Sequence, residues 1–233
     1  MNKKAPALRV LYEDNHLLVI VKPPMMPVQA DRSGDMDVLS ECKHYIKEQY
    51  DKPGAVYLGL VHRLDRPVGG VMVFARTSKA AARLQKQMEQ GKWEKKYLAV
   101  IEGRTRESDI LIDSLVKDET THSSRIAVGN EKGKEARLSY QTLAHRDGLS
   151  LVEIDLDTGR HHQIRVQLAS RGLPIWGDAR YNAASKPGQP IALWANGLTF
   201  EHPVGNRPMH FMELPPCESR WDVFYDVLDA MKE

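Results

Sequence analysis

Residues 59 to 77 read Gly59-Leu60-Val61-His62-Arg63-Leu64-Asp65-Arg66-Pro67-Val68-Gly69-Gly70-Val71-Met72-Val73-Phe74-Ala75-Arg76-Thr77. Apolar runs at Leu58 to Val61 and Val71 to Phe74 flank a polar turn and predict two buried strands. One acid, Asp65, stands among His62, Arg63 and Arg66 on the loop those strands would carry. Loops held by rigid strands are frequent sites of chemistry. Pro67 fixes φ, and Gly69 and Gly70 permit positive φ or close approach of another backbone. A surface turn closed by a local Asp–Arg ion pair accounts for the same residues equally well.

Before this stretch, Leu8 to Tyr12 and Leu17 to Val21 lie either side of Glu13-Asp14-Asn15-His16 and predict a hairpin. Lys22-Pro23-Pro24 ends its second strand, because proline cannot continue the ladder. Residues 31–36 form a polar loop. Asp37 is a candidate N-cap for a helix carrying Val38, Leu39, Cys42 and Ile46 on one face.

After it, Ser78 is the candidate cap of a helix running to about Gln90 and ended by Gly91. Trp93 to Glu102 alternates as a strand, with Lys95, Tyr97 and Ala99 on one face and Lys96 and Leu98 on the other. Asp109 to Val116 and Arg125 to Val128 are short strand candidates. Ala136 to Ala144 and Ser150 to Leu156 alternate about Asp147-Gly148 and predict a hairpin. Thr158 suits an N-cap for a helix bearing His161, Ile164, Arg165 and Leu168. Such a helix start, with Gly159 and Arg160, would suit a phosphate. Ile191 to Phe200 and Met209 to Leu214 are further strands, and Trp221 to Met231 a closing amphipathic helix.

The 233 residues are 42% hydrophobic and 27% charged, an ordinary composition for a soluble globular chain. No apolar run approaches the roughly 20 residues of a membrane span. Met1 to Pro6 is followed by no apolar run of signal-peptide type, so secretion is not expected. Cys42 and Cys217 form no C-x-x-C motif, which excludes zinc held by paired thiols and fits a reducing cytoplasm. The net charge is only +2, but its distribution is uneven. From Leu60 to Arg104 ten Lys/Arg face four acids, whereas residues 201–233 carry seven acids and three Lys/Arg. A basic region around the candidate loop fits an RNA footprint. Solvated helix faces explain the run from Lys79 to Lys92 as well.

His62-Arg63-Leu64-Asp65-Arg66, with Gly70, Ala75 and Thr77, resembles the signature of the RluA-type RNA pseudouridine synthases. The family usually has Thr-Ser-Gly where this chain has Val68-Gly69-Gly70. Four further blocks resemble the family in order: Leu11-Tyr12-Glu13-Asp14 through Lys22-Pro23, Lys96-Tyr97-Leu98-Ala99, Thr158-Gly159-Arg160 through Arg165, and Pro174-Ile175-Trp176-Gly177-Asp178 with Tyr181. Ala192-Leu193-Trp194-Ala195 resembles the last block, with Trp194 where His is common.

The resemblance implies an α+β fold: a mixed, mainly antiparallel sheet flanked by helices, with the active-site cleft along it. Without repeat or linker, residues 1–233 are expected to form a single catalytic domain, with no N-terminal RNA-binding domain.

The implied activity is isomerisation of uridine in structured RNA, with Asp65, Tyr97 and Arg165 as catalytic residues. The base is detached at N1–C1′, turned and rejoined at C5. Asp65 would act as nucleophile on the sugar carbon or as a base. Arg165 would pair with it, since an opposite charge lowers a carboxylate pKa by roughly 1–3 units. The uridine must be flipped out of the RNA. Tyr97 would stack on it, Arg63 would fill the gap, and Leu193 would pack on the base. Arg66, Lys96, Arg160 and His162 are candidate phosphate contacts.

No cofactor and no metal is expected, and no Walker A loop, G-x-G-x-x-G or H-E-x-x-H occurs. The expected partner is RNA, ribosomal favoured over transfer RNA, acted on by a cytoplasmic monomer. Two other readings stay open: an RNA N-glycosylase or nucleoside hydrolase, and an RNA-binding protein without catalysis. The first commonly uses two carboxylates, where the signature loop holds one.

Overall fold

The computed structural model describes residues 8–232. The stretch Met1 to Pro6, read above as carrying no leader, lies outside them. In chain order the elements are β1 (Arg9–Glu13), β2 (Leu17–Lys22), α1 (Val38–Gln49), β3 (Gly59–Leu60), β4 (Gly69–Ala75), α2 (Ser78–Glu89) and β5 (Glu94–Glu102). There follow β6 (Ser108–Asp118), β7 (Ser123–Ile126), β8 (Lys134–Arg146), β9 (Leu149–Leu156) and α3 (Gln163–Ala169). β10 (Leu193–Glu201), β11 (Pro208–Met212), a 3-10 segment (Ser219–Phe224) and α4 (Tyr225–Ala230) complete the chain. This is the α+β, mainly antiparallel architecture expected from the sequence.

The chain divides into two compact units, one built from residues up to Trp93 plus Ala195–Glu213, the other from Glu94–Trp194 plus the segment from Leu214 onward. In the first, strands run β1-β2-β4-β10, with β3 on β4 and β11 on β10. β1 and β2 form the predicted hairpin, Arg9 opposite Val21 and Glu13 opposite Leu18. β4 is buried along its whole length, as its continuous apolar run requires. Its inner residues Val71, Val73 and Ala75 pack with Leu17, Val19, Leu84, Trp93, Leu198 and Phe200. Gly70 adopts φ +125°, and a Cβ there would lie 2.2 Å from the Ala195 carbonyl oxygen. Only glycine lets these two backbones approach so closely.

In the second unit the order is β5-β9-β8-β6-β7, every pair antiparallel. The β8–β9 hairpin turns at Asp147-Gly148, both at positive φ, as the sequence predicts.

The structure corrects several local expectations. The cap of α2 is Thr77, not Ser78: its Oγ1 accepts the Ala80 N–H at 3.1 Å. The strand expected over residues 58–61 shortens to Gly59–Leu60. The helix expected to be capped by Thr158 starts only at Gln163 and is seven residues long. Thr158 Oγ1 instead accepts the Arg137 N–H at 2.8 Å and bonds Gln163 Oε1 at 2.7 Å. His162 caps α3 at φ +54°, a left-handed step that a right-handed helix cannot include. His161 is therefore outside the helix and not stacked one turn before Arg165. The closing helix is split: Trp221 and Phe224, three apart, are both buried by the 3-10 spacing, and α4 starts at Tyr225.

Candidate active site

In the first unit the signature loop descends from β3 to β4 by alternation. Leu64 is buried and His62 half-buried, while Arg63 is exposed and Asp65 half-buried. His62 is an anchor. Its Nε2 accepts the Val73 N–H at 3.0 Å, and its ring meets Trp93 edge-on at 5.4 Å. Accepting at Nε2 fixes the neutral tautomer protonated at Nδ1. The turn closes with Val68 N–H donating to the Asp65 carbonyl at 3.0 Å.

Beneath the loop lies a group whose role sequence reading missed. Lys22, at the end of β2, is fully buried. Its Nζ donates to the carbonyls of Val68 at 2.7 Å, Pro23 at 2.9 Å and Arg66 at 3.0 Å. Two of those carbonyls belong to the turn that follows Asp65. Burial pushes the Lys22 pKa down to about 7, against the upward pull of the Asp65 carboxylate, with Arg66 pushing down further. Three carbonyls need three N–H donors, which only the ammonium form supplies.

The sign of the linkage follows. Below about pH 7 both folded and unfolded Lys22 are protonated, and the full cost of burying the charge is present. Between there and the unfolded lysine pKa near 10.4 the unfolded chain binds the extra proton, so this group makes folding more favourable as pH rises. Chemical denaturation from pH 7 to 10 is expected to show a wild-type slope more positive than that of Lys22→Met by up to about 1.4 kcal/mol per pH unit. Parallel curves for the two proteins would rule out a titrating Lys22.

Arg66 is latched to the loop over residues 31–36. It bonds Asp35 and donates to Ser33 Oγ at 3.1 Å, with Asp31 at 3.5 Å. Arg63 projects from the same turn into solvent.

In the second unit Tyr97 sits on β5 opposite Ile154, on the Lys95 face. Lys96, on the other face, bridges Glu153 at 2.8 Å and Asp155 at 3.2 Å. Arg165 is buried on α3, and its guanidinium is forked by Asp178: Nε to Oδ2 at 2.8 Å and Nη2 to Oδ1 at 2.7 Å. Asp178 is itself sealed from solvent and also accepts the Arg180 N–H at 3.1 Å.

Tyr181 lies under the guanidinium, 5.2 Å from ring centroid to Cζ. Its hydroxyl accepts the Ser124 N–H at 2.7 Å and meets His162 Nδ1 at 2.8 Å. His161 and His162 stack at 3.8 Å. Arg165 is thus held by one edge and one face, which fixes its plane. The motifs containing Arg165, Asp178 and Tyr181 were all visible in the sequence, but the grip of the last two on the arginine was not. Arg160 is exposed and its Nε donates to the Glu135 carbonyl at 2.8 Å, while Leu193 is buried at the start of β10. Among the described residues no group of three or more His, Cys, Asp and Glu is placed to hold a metal ion.

Residues 16–170 match the family described as RNA pseudouridylate synthase. The chain is 36% identical over 200 residues to the uncharacterized RNA pseudouridine synthase YhcT of Bacillus subtilis, covering 84% of this chain and 65% of that one. It is 33% identical over 211 residues to ribosomal large subunit pseudouridine synthase D of Nitrosomonas europaea, covering 85% and 60%. It thus spans less than two thirds of the length of these two curated relatives. Against the dual-specificity RNA pseudouridine synthase RluA of Yersinia pestis it is 33% identical over 218 residues, covering 91% and 99%.

The solved structure of human RNA pseudouridylate synthase domain containing 4 superposes with a TM-score of 0.76 at 22% identity, covering 95% of this chain and 93% of that one. The fold is therefore that of the pseudouridine synthases. By the extent of the match and the identity to these relatives, the chain belongs to the RNA pseudouridylate synthase family, as its motifs imply.

Proposed function

We propose that this protein isomerises uridine in RNA to pseudouridine, with Asp65 as the catalytic carboxylate. The observation that carries the reading is the Asp65 turn itself. An acid in the family signature is displayed half-buried, between His62 and Leu64 anchors and a buried ammonium that grips the carbonyls behind it. A reacting carboxylate needs that fixed geometry. In the reaction the N1–C1′ bond breaks, the ring turns, the C5–C1′ bond forms, the C5 proton leaves and N1 gains one. No atom is gained or lost overall. Asp65 attacks C1′ or takes a ribose proton.

Arg165, its plane set by Asp178 and Tyr181, is assigned as the catalytic partner of Asp65. Tyr97 is assigned to stack on the flipped uracil, as aromatic side chains do for extruded bases. Arg63, exposed on the Asp65 turn, is assigned to the gap the base leaves. Arg66, Lys96, Arg160, His162 and Leu193 complete the proposed RNA contacts.

Ribosomal RNA is the proposed substrate ahead of transfer RNA. Relatives named for the large ribosomal subunit support this, beside one named for dual specificity. We further propose a cytoplasmic monomer acting as one catalytic domain; no helix among the described residues is long and apolar enough to cross a membrane. The test is to map pseudouridine in total RNA with and without the protein. New sites in ribosomal RNA are expected. Free uracil or abasic RNA instead would identify a glycosidic hydrolase.

A further inference from the structure

Two lysines stand next to each other on β5, and the strand sends them to opposite faces. Lys96 is satisfied by Glu153 and Asp155. Partial burial acts to lower its pKa, but those hydrogen bonds outweigh it and hold the ammonium above its ordinary range. Lys95 is different. It is half-buried on the Tyr97 face, and among the described residues no hydrogen bond or ion pair reaches its ammonium.

Burial pushes the Lys95 pKa down; Asp157 opposes this and Arg160 adds to it. Asp157 offers little relief, because Arg137 Nε already holds its carboxylate at 2.9 Å. The Lys95 ammonium lies over Gly159: a Cβ built there would stand 3.8 Å from Nζ. The Gly159 N–H donates to no group among the described residues. A partly desolvated cation beside a second cation, with its nearest acid taken, is unfavourable by itself. An anion arriving over a bare glycine backbone would relieve it.

We propose that Lys95 and Arg160, with the Gly159 backbone between them, form a phosphate subsite for the RNA strand beside the base stacked at Tyr97. The ligand class is a phosphodiester, whose two non-bridging oxygens can take one cation each. This rests on the reading of RNA as substrate. It adds Lys95 to the contacts proposed above and gives the 157–160 turn its function without a helix terminus.

The test is binding of poly(U) by the intact protein across a series of KCl concentrations. Each phosphate contact on a single strand adds about 0.7 to the slope of log K against log salt. Lys95→Met keeps the apolar stem and removes the charge; its slope is expected to fall by about 0.7, with several-fold weaker binding at fixed salt. Arg160→Gln, on an exposed turn, is expected to do the same, and Lys95→Arg to keep the wild-type slope. Lys117→Gln, an exposed cation on β6, is the charge control and should leave the slope in place.

Wild-type slopes in both Lys95→Met and Arg160→Gln would overturn the subsite while leaving the RNA reading intact. Absence of wild-type poly(U) binding at low salt would overturn both. Should Lys95→Met fail to fold by circular dichroism, Lys95→Gln takes its place in the same test, with the same expected and overturning slopes.

Discussion

Asp65→Asn is expected to yield no pseudouridine while binding RNA within about twofold of wild type. The loss of turnover should be about 10⁴-fold or more, the scale seen when a sole nucleophile or base is removed. Asparagine has nearly the same shape, and the turn keeps its backbone contact, because Val68 N–H donates to the carbonyl of residue 65 and not to its side chain. The Lys22 bonds likewise end on backbone carbonyls. A folding defect is therefore not expected, and equal melting temperatures would exclude one. Appreciable pseudouridine from Asp65→Asn or Asp65→Ala would end the proposal that this carboxylate does the chemistry.

The second large effect is expected at Arg165. Arg165→Lys keeps the charge but loses the fork, so Asp178 can no longer be met through two parallel N–H bonds. A displaced cation no longer fixes the orientation of its partners, and misplacement by about 1 Å costs roughly 10²-fold in rate. We expect kcat to fall by about that factor with KM little changed, measured well below the melting temperature. Arg165→Ala should fail differently. It strands a fully buried carboxylate, a loss of about 3–5 kcal/mol in stability. Near-normal kcat in Arg165→Lys would remove Arg165 from the catalytic set.

These two residues also show what the sequence made legible. Asp65 could be placed on a turn between strands because apolar runs and Gly-Gly punctuate it, and the structure puts it there. Tyr97 and the β8–β9 hairpin were readable from period-two alternation, and α1 from Asp37, whose Oδ1 accepts the Ser40 N–H at 3.0 Å. Thr158 misled because a hydroxyl that can cap a helix can equally bond a neighbouring strand, and here Arg137 claims it. What the supports of the candidate site hold was not legible, although their motifs were. Lys22 reaches carbonyls 44 and 46 positions away, and Asp178 an arginine 13 positions back. No local pattern encodes such pairings; they exist only once the chain is folded. Local alternation also put Lys95 and Lys96 on opposite faces, but only the cross-strand acids on β9 show which of the two is already satisfied.

The sealing of Lys22 has a practical outcome. An amine without solvent contact cannot react with acylating reagents until the segment above it swings away. Its modification rate, followed by peptide mass spectrometry, would therefore count the spontaneous openings of the Asp65 turn. A bound oligonucleotide that braces this turn should slow the clock.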